Sequence, residues 1–490
     1  MTYERTPTFS SRVRPAAHDT RRGRLLIVSN RLPVTLVENG DRVCVGRSTG
    51  GLATGLTHVQ RRNDATWIGW TGLSDAPRPP LQNDIDRRLR ARQMIPVHLT
   101  RRDVTRFYHG FSNGVLWPLL HEVDPAPHDA CDWETYRSVN ARFADAVLRE
   151  LNPGDVVWVH DYHLMLVPRL VREQCPGARI GFFLHTPFPE PASWRRLPQA
   201  AVLIDGLVGA DAIGVHTDEY VQHFIAAVDA TRLHRTHHHV IHDRRRPVVV
   251  SASPMSIDTA EFAAAAGQTG VKAEALRLRG TGPLFVGIDR LDYTKGIPER
   301  LRAFGRLLEC DPALVGRSRL LQIAVPSREA VSAYQRVRAE VEETVRRINE
   351  RWACADWSPV DYRYTSVDQT ALVALYRAAD VMLVTPIRDG LNLVAKEFVA
   401  SRIDNDGVLI LSERAGAAAE LRTALLVDPT DERALADAYV AALNMLPAER
   451  RVRMRHMRLR VTDHDVYRWA DSVLGALAAD EPSATHVGGA

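Results

Sequence analysis

Lysine is almost missing from this chain: of 63 Lys and Arg residues, only Lys272, Lys295 and Lys396 are lysines. Genome composition accounts for the bias itself, which carries weight only where a lysine persists. Cysteine is sparse as well. Cys44, Cys131, Cys175, Cys310 and Cys354 are scattered without CxxC spacing, which argues against a disulfide framework or a structural zinc site and fits a reducing cytoplasm. No apolar run is long enough to span a bilayer. The opening residues, MTYERTPTFSSRVRPAAHDTRRGR, lack the apolar centre of a secretory signal. They read as a disordered extension, although their Arg- and Ser-rich makeup would also suit a transit peptide. A surplus of one charge is missing too. The net charge of +4, from 63 basic and 59 acidic residues, excludes a dedicated nucleic-acid binder and leaves room for a local anion site.

What is present is alternation. At 490 residues the chain should build two domains. Strand-like runs at 24–30, 155–161, 179–185 and 210–217 are separated by amphipathic segments such as YHLMLVPRLVREQ and DEYVQHFIAAV. The second half repeats the theme with runs at 283–288, 319–325, 381–386, 407–413 and 424–429. Two doubly wound α/β units in tandem are the economical reading, with ligands at the carboxyl ends of the strands. The join falls near SASPMSIDTAEF (251–262), and a last helix is expected over 463–477. The histidine-rich HRTHHHVIHDRRR (234–246) lacks convincing ligand spacing and reads as a surface hairpin or loop.

The strands end in polar residues where a buried sheet should simply give way to a loop. After LLIVSN comes Arg31, and STGGLATG (48–55) offers Gly50 and Gly51 for close backbone approach ahead of a helix N-terminus. FYHGFSNGVLWPLLH gathers Tyr108, His109, Asn113 and Trp117, and its aromatics with polar tips suit either sugar faces or a core cluster. WVHDYHLM supplies His160, Asp161 and His163, and FFLHTPFPE supplies His185. GIDRLDYTKGIPER places Arg290 and Lys295 at a strand end, where a planar fork and a slim point charge could clamp a diphosphate. The competing reading is an ion-pair network with Asp289, Asp292 and Glu299. QIAVPSRE contributes Arg328. In VTPIRDGLNLVAKEFVAS, Asp389 and Gly390 form a turn before a helix whose free amides suit phosphate oxygens, and Glu397 could take a ribose diol. The role of the Lys396 side chain stays open.

Taken in order, SNR, GGLATG, FSNGVLWPLLH, WVHDYHLM, FFLHTPFP, GIDRLDYTKGIPER and VTPIRDGLNLVAKEF resemble the trehalose-6-phosphate synthase family over about Leu25 to Leu477. The resemblance implies two tandem Rossmann-like, doubly wound α/β domains of the GT-B type with an active-site cleft between them. It implies retaining transfer of glucose from a nucleotide-glucose, UDP-glucose above all, to glucose 6-phosphate, without a cofactor or an essential metal, in a cytoplasmic homotetramer or homodimer. By motif, Arg31, Tyr108 and Arg328 would meet the acceptor phosphate, and Asp161 and Trp117 the acceptor sugar. Arg290 and Lys295 would hold the donor diphosphate, while Asp389 and His185 would take donor-sugar hydroxyls. Gly50 and Gly51 would approach the donor, and the backbone through Gly390, Leu391, Asn392, Leu393, Val394, Ala395 and Lys396 would line it. Glu397 would bind the ribose and Val367 the base. The implied division is an extension over 1–23, an acceptor domain over 24–255 and a nucleotide-sugar domain over 256–462. A helix over 463–479 would return to the first domain, ahead of a tail over 480–490. Two alternatives stay open: a transferase using another sugar or cyclitol phosphate, and a silent sugar-phosphate sensor. A nicotinamide dehydrogenase is disfavoured because no GxGxxG follows LLIVSN.

Overall fold

The computed structural model describes residues 23–39, 42–47, 51–74, 79–125, 129–243, 246–329, 331–354 and 356–478. The expectations for 1–22, for 480–490 and for Gly50 lie outside these residues.

Short aliphatic runs form strands because β-branched side chains pack well on a pleated surface covered on both faces. In the first half these are β1 (Leu25–Arg31), the hairpin pair β2 (Val34–Asn39) and β3 (Arg42–Arg47), β4 (Thr66–Trp70), β5 (Met94–Val97), β6 (Val156–His160), β7 (Arg179–Phe183) and β8 (Ala212–Val215). They are followed by β9 (Arg235–His237), β10 (Val240–Asp243) and β11 (Arg246–Ala252). The second half adds β12 (Leu284–Arg290), β13 (Arg319–Val325), β14 (Val360–Tyr364), β15 (Val381–Val384), β16 (Val408–Ser412) and β17 (Leu425–Val427).

Two large sheets result. The first runs β5-β4-β1-β6-β7-β8-β11-β10-β9 and the second β14-β13-β12-β15-β16-β17. Within the first sheet the strands from β5 across to β11 are parallel, and only β10 runs the other way, pairing antiparallel with β11 and with β9 on the edge. The second is parallel throughout. In each, the first strand lies between the second and the fourth of its series, the doubly wound order whose reversal opens a crevice at the carboxyl ends. Those crevices lie beside β1 and β6 in one sheet and beside β12 and β15 in the other. The histidine-rich stretch forms the edge hairpin, with His237, His238, His239 and His242 exposed.

Besides the β2–β3 pair and the histidine-rich hairpin, four strands of the two large sheets, β4, β5, β11 and β14, were not named from the sequence. β5 and β14 are edge strands, so they carry Pro96 in one case and half-exposed polar residues in the other. β11 alternates buried and exposed residues instead of forming a continuous apolar run. The helix Val466–Ala478 packs on the first sheet: Trp469 donates from Nε1 to the Ser253 carbonyl at 3.1 Å, and its ring meets Trp158 and Phe183, each 5.1 Å away. No helix among the described residues is long and apolar enough to cross a membrane.

One polar brace sits inside the second sheet. Arg300 is fully buried and donates to Asp289 at 2.6 Å, to Gln322 at 2.9 Å and to Thr385 Oγ1 at 3.1 Å. Gly287 makes room for it, since a Cβ there would stand 2.5 Å from the Arg300 Nη1. The brace ties β12, β13 and the end of β15 together beneath the loop that carries Lys295. Arg300→Met should therefore strand a buried carboxylate and lower stability by about 3–5 kcal/mol in urea denaturation, whereas adding Asp289→Leu should restore part of the loss.

Candidate active site

The crevices of the two sheets face each other, and the strand-end residues meet in the cleft. From the first sheet come Arg31, Tyr108, Trp117, Asp161 and His185, and from the second Arg290, Lys295, Arg328 and Asp389. Tyr108 and Trp117 ride on an unusual support, a π-helix over Val104–Leu116 that passes into a short α-helix at Trp117. Such wide turns re-aim side chains and recur at functional sites.

One end of the cleft is cationic and aromatic. The Arg31 guanidinium lies 4.9 Å from the Trp70 ring centre, over Gly72, where any Cβ would collide with it. Tyr108 stands 5.7 Å from Trp70 and stacks on His163 at 5.8 Å. Trp117 is flanked by two guanidinium groups, Arg328 at 4.2 Å and Arg290 at 5.4 Å. Arg328 also donates to Tyr162 Oη at 3.2 Å and to Asp292 at 3.3 Å, and it bonds the Tyr334 hydroxyl. Tyr162 in turn donates to Asn113 at 2.8 Å. An arginine from the second sheet is thus seated among aromatics of the first.

At the other end Lys295 Nζ pairs with Asp389 at 2.5 Å, and the Asn392 amide donates to the same carboxylate at 3.1 Å. Arg290 makes no ion pair among the described residues; its guanidinium is turned to Trp117. The competing network of Arg290 and Lys295 with Asp289, Asp292 and Glu299 is not what forms. Asp289 goes to Arg300, Asp292 to Arg328 and Glu299 to Arg302. The helix Leu393–Ser401 begins at Asn392 with no side-chain cap, so its first amides keep their capacity for an anion. Glu397 accepts from Tyr376 Oη at 2.7 Å. Gly51 and Gly390 are close-approach points between the halves: a Cβ on Gly51 would stand 2.8 Å from Leu393 Cδ1, and one on Gly390 would stand 2.3 Å from the His185 carbonyl oxygen. Val367 lies half-buried in the loop after β14. Leu391 and Ala395 are buried beneath the turn and helix. The Lys396 ammonium leaves the cleft altogether, bonding the Met255 carbonyl and Glu420.

Backbone strain gathers here. Of the non-glycine residues with left-handed backbone, Glu122, Asp161, Arg328 and Asn392 border the cleft, with φ of 58°, 75°, 47° and 80°. Each costs of order 1–3 kcal/mol and persists only where surrounding structure holds it. Glu122 pairs with Arg388 across the cleft, and Tyr220 donates to the Asp389 carbonyl at 3.3 Å.

Burial sets the protonation states. It pushes His160, His163 and His185 well below their ordinary range and holds His121 at about 4 and His216 at about 3. These imidazoles are neutral at pH 7, so the positive charge belongs to Arg and Lys alone. Burial pushes the Asp161 carboxyl up to about 6 against the backbone N–H groups of Tyr162 and His185. Burial opposes ionisation of Asp292 as well, but Arg328, Arg290 and Lys295 overcome it and hold that carboxyl at about 2. Burial likewise opposes ionisation of Asp389, but its bond to Lys295 and the nearby positive charges together hold it below its usual range. Among the described residues one group has metal-ligand composition, His58, Asp258 and Glu261, and it shares no residue with the cleft.

Trp70, Tyr162, Asp292 and Tyr334 belong to this site and were not singled out as ligand contacts from sequence. Only Trp70 and Tyr162 carried a usable signal, being aromatics at or just beyond the carboxyl ends of β4 and β6.

Two doubly wound sheets facing one cleft, with cations at the turn after β12 and sugar-suited aromatics opposite, define a GT-B glycosyltransferase. The chain belongs to glycosyltransferase family 20, whose model matches residues 23–479. It is 42% identical over 469 residues to the trehalose-6-phosphate synthase of Mycobacterium sp. (strain JLS), covering 92% of this chain and 96% of that protein. Among solved structures it is similar to the UDP-forming α,α-trehalose-phosphate synthase of Burkholderia xenovorans in complex with glucose-6-phosphate. That likeness has a TM-score of 0.83 and 36% identity, over 93% of this chain and 100% of the other. The N-terminal domain of Candida albicans trehalose-6-phosphate phosphatase is similar at a TM-score of 0.84 and 29% identity, over 93% of this chain and 96% of that one.

The raised Asp161 carboxyl has a stability consequence. Its folded-state value lies above its unfolded one, so ionisation costs stability progressively as pH rises from about 4 to about 6. Asp161→Asn should raise Tm at pH 7.5 by roughly 2–4 °C, and the difference should vanish near pH 4. Calorimetry at the two pH values checks this.

Proposed function

We propose that this chain transfers glucose with retention of configuration from a nucleotide-glucose, UDP-glucose first, to glucose 6-phosphate. The products are α,α-trehalose 6-phosphate and the nucleoside diphosphate. One observation carries the reading: a cationic aromatic subsite anchored by Arg31 and Arg328 opens into the same cleft as the Lys295–Asp389 pair and the uncapped helix start at Asn392. The names of the relatives support the same activity.

In this reading Arg31, Tyr108 and Arg328 hold the acceptor phosphate, and Asp161 and Trp117 orient the acceptor sugar. Trp117 does so while already in contact with two arginines. Arg290 and Lys295 take the donor diphosphate, with the amides from Gly390 to Val394 along its oxygens, Glu397 on the ribose diol and Val367 near the base. Asp389 and His185 bind donor-sugar hydroxyls. When the diphosphate arrives, Lys295 turns part of its interaction from Asp389 to phosphate, which frees the carboxylate for a hydroxyl. The C1–O bond to phosphate then breaks as the acceptor's anomeric oxygen attacks from the same face. The departing phosphate oxygen takes the proton of that hydroxyl, and the charge growing on the nucleotide meets Arg290, Lys295 and the helix amides. This path asks for no carboxylate pair of glycosidase type.

The corresponding domain division is 24–255 for the acceptor half and 256–462 for the nucleotide half, with 463–479 returning to the first. The chain is expected to work in the cytoplasm as a homotetramer or homodimer, which sedimentation can test.

Lys295→Ala and Arg290→Ala should each lower kcat by about two to three orders of magnitude, the usual loss when one charge-stabilising group is removed. Steady-state kinetics with UDP-glucose and glucose 6-phosphate, with products identified by mass spectrometry, checks both reaction and roles. Near-normal kcat in both variants, or a product other than trehalose 6-phosphate, would overturn the reading.

A further inference from the structure

Lys396 has no part in the chemistry just described, yet it is one of three lysines and is buried to 1% exposure. Its ammonium donates to the Met255 carbonyl at 2.8 Å and pairs with Glu420 at 2.5 Å, while Arg460 approaches the other oxygen of Glu420 at 3.6 Å. Met255 lies in the crossover between β11 and the helix Thr259–Gly267, where the chain passes from the first sheet to the second. Two other contacts converge on that segment. The Met255 N–H donates to His216 Nδ1 at 3.3 Å, and the His216 ring stands 5.6 Å from that of His185. The Met255 methyl fills the space over Gly55, where a Cβ would come within 2.4 Å of it. Gly55 lies on the helix Gly51–Asn63, whose first residue packs on Leu393 at the start of the helix that carries Lys396.

A buried ion pair of this kind seldom adds net stability over an apolar replacement, and its attested use is to specify one arrangement among several. The slim lysine stem reaches a single carbonyl and a single carboxylate, where a planar arginine fork would need a wider space. We propose that Lys396 is a positioning residue for the donor: it pins the helix Leu393–Ser401 to the crossover at Met255. The uncapped end of that helix is thereby held in register with Gly51 and, through His216, with His185. The proposal rests on the reading that this helix start receives the nucleotide diphosphate.

Lys396→Met keeps the stem and deletes the charge. In it the KM for UDP-glucose should rise at least about tenfold and kcat should fall, while the KM for glucose 6-phosphate stays within about twofold. Glu420→Gln keeps the bond from Lys396 to Met255 and should leave the donor KM within about threefold. Gly55→Ala crowds the Met255 methyl without touching a charge, so it should raise the donor KM alone, in smaller measure. An unchanged donor KM in folded Lys396→Met overturns the proposal, as does an equal rise in both KM values, which would mark general loosening. If Lys396→Met does not fold, wild-type values for both substrates in Gly55→Ala overturn it instead. Failure of the unaltered chain to form trehalose 6-phosphate is a failure of the functional reading. A donor KM indifferent to Lys396 in an active chain is a failure of this proposal alone.

Discussion

The Lys295–Asp389 pair is the interaction around which the molecule is arranged. A lysine and an aspartate from neighbouring strand ends of one sheet are held at 2.5 Å, both largely buried, at the point where doubly wound strand order opens a crevice. An ion pair this buried is costly unless other groups satisfy it, and here Asn392 adds a hydrogen bond to Asp389. Beneath it, Arg300 locks the β12 loop that presents Lys295. A bound diphosphate would offer the ammonium a second anionic partner without exposing it to water, so the pair is a resting state already close to its working geometry.

The other half of the cleft follows the same logic with different parts. Arg328 crosses from the second sheet to sit against Trp117 and Tyr162 of the first, and Arg388 reaches Glu122 the same way. The two sheets are therefore joined through residues of the site itself. Four strained left-handed residues and a set of neutral histidines are the cost of shaping this surface. Because burial keeps the imidazoles uncharged, the guanidinium groups and Lys295 dominate the field that an incoming phosphate meets.

Much of this was legible in the sequence, for identifiable reasons. Buried parallel strands are continuous apolar runs, so β1, β6, β7, β12, β13 and β16 stood out, and polar residues breaking those runs marked the crevice. Motif likeness then named the roles that remain proposals. What was hidden depends on three-dimensional partners. Nothing in GIDRLDYTKGIPER says that Asp289 belongs to Arg300, or that Asp292 belongs to an arginine 36 residues further on. The π-helix under Tyr108 has no local signature, and β5 and β14 went unnamed because edge strands tolerate proline and polar residues. The fate of Lys396 could not be seen either, since its partner Met255 is 141 positions away.

With only three lysines in the chain, the central claim can be watched directly. Lysine labelled with 13C at Cε should give three resolvable signals by NMR, assigned by single Lys→Arg replacements. Titration with UDP should move the Lys295 signal in a saturable way, leave exposed Lys272 unmoved and shift Lys396 little. A Lys295 signal that stays in place while UDP binding saturates by calorimetry would contradict the account.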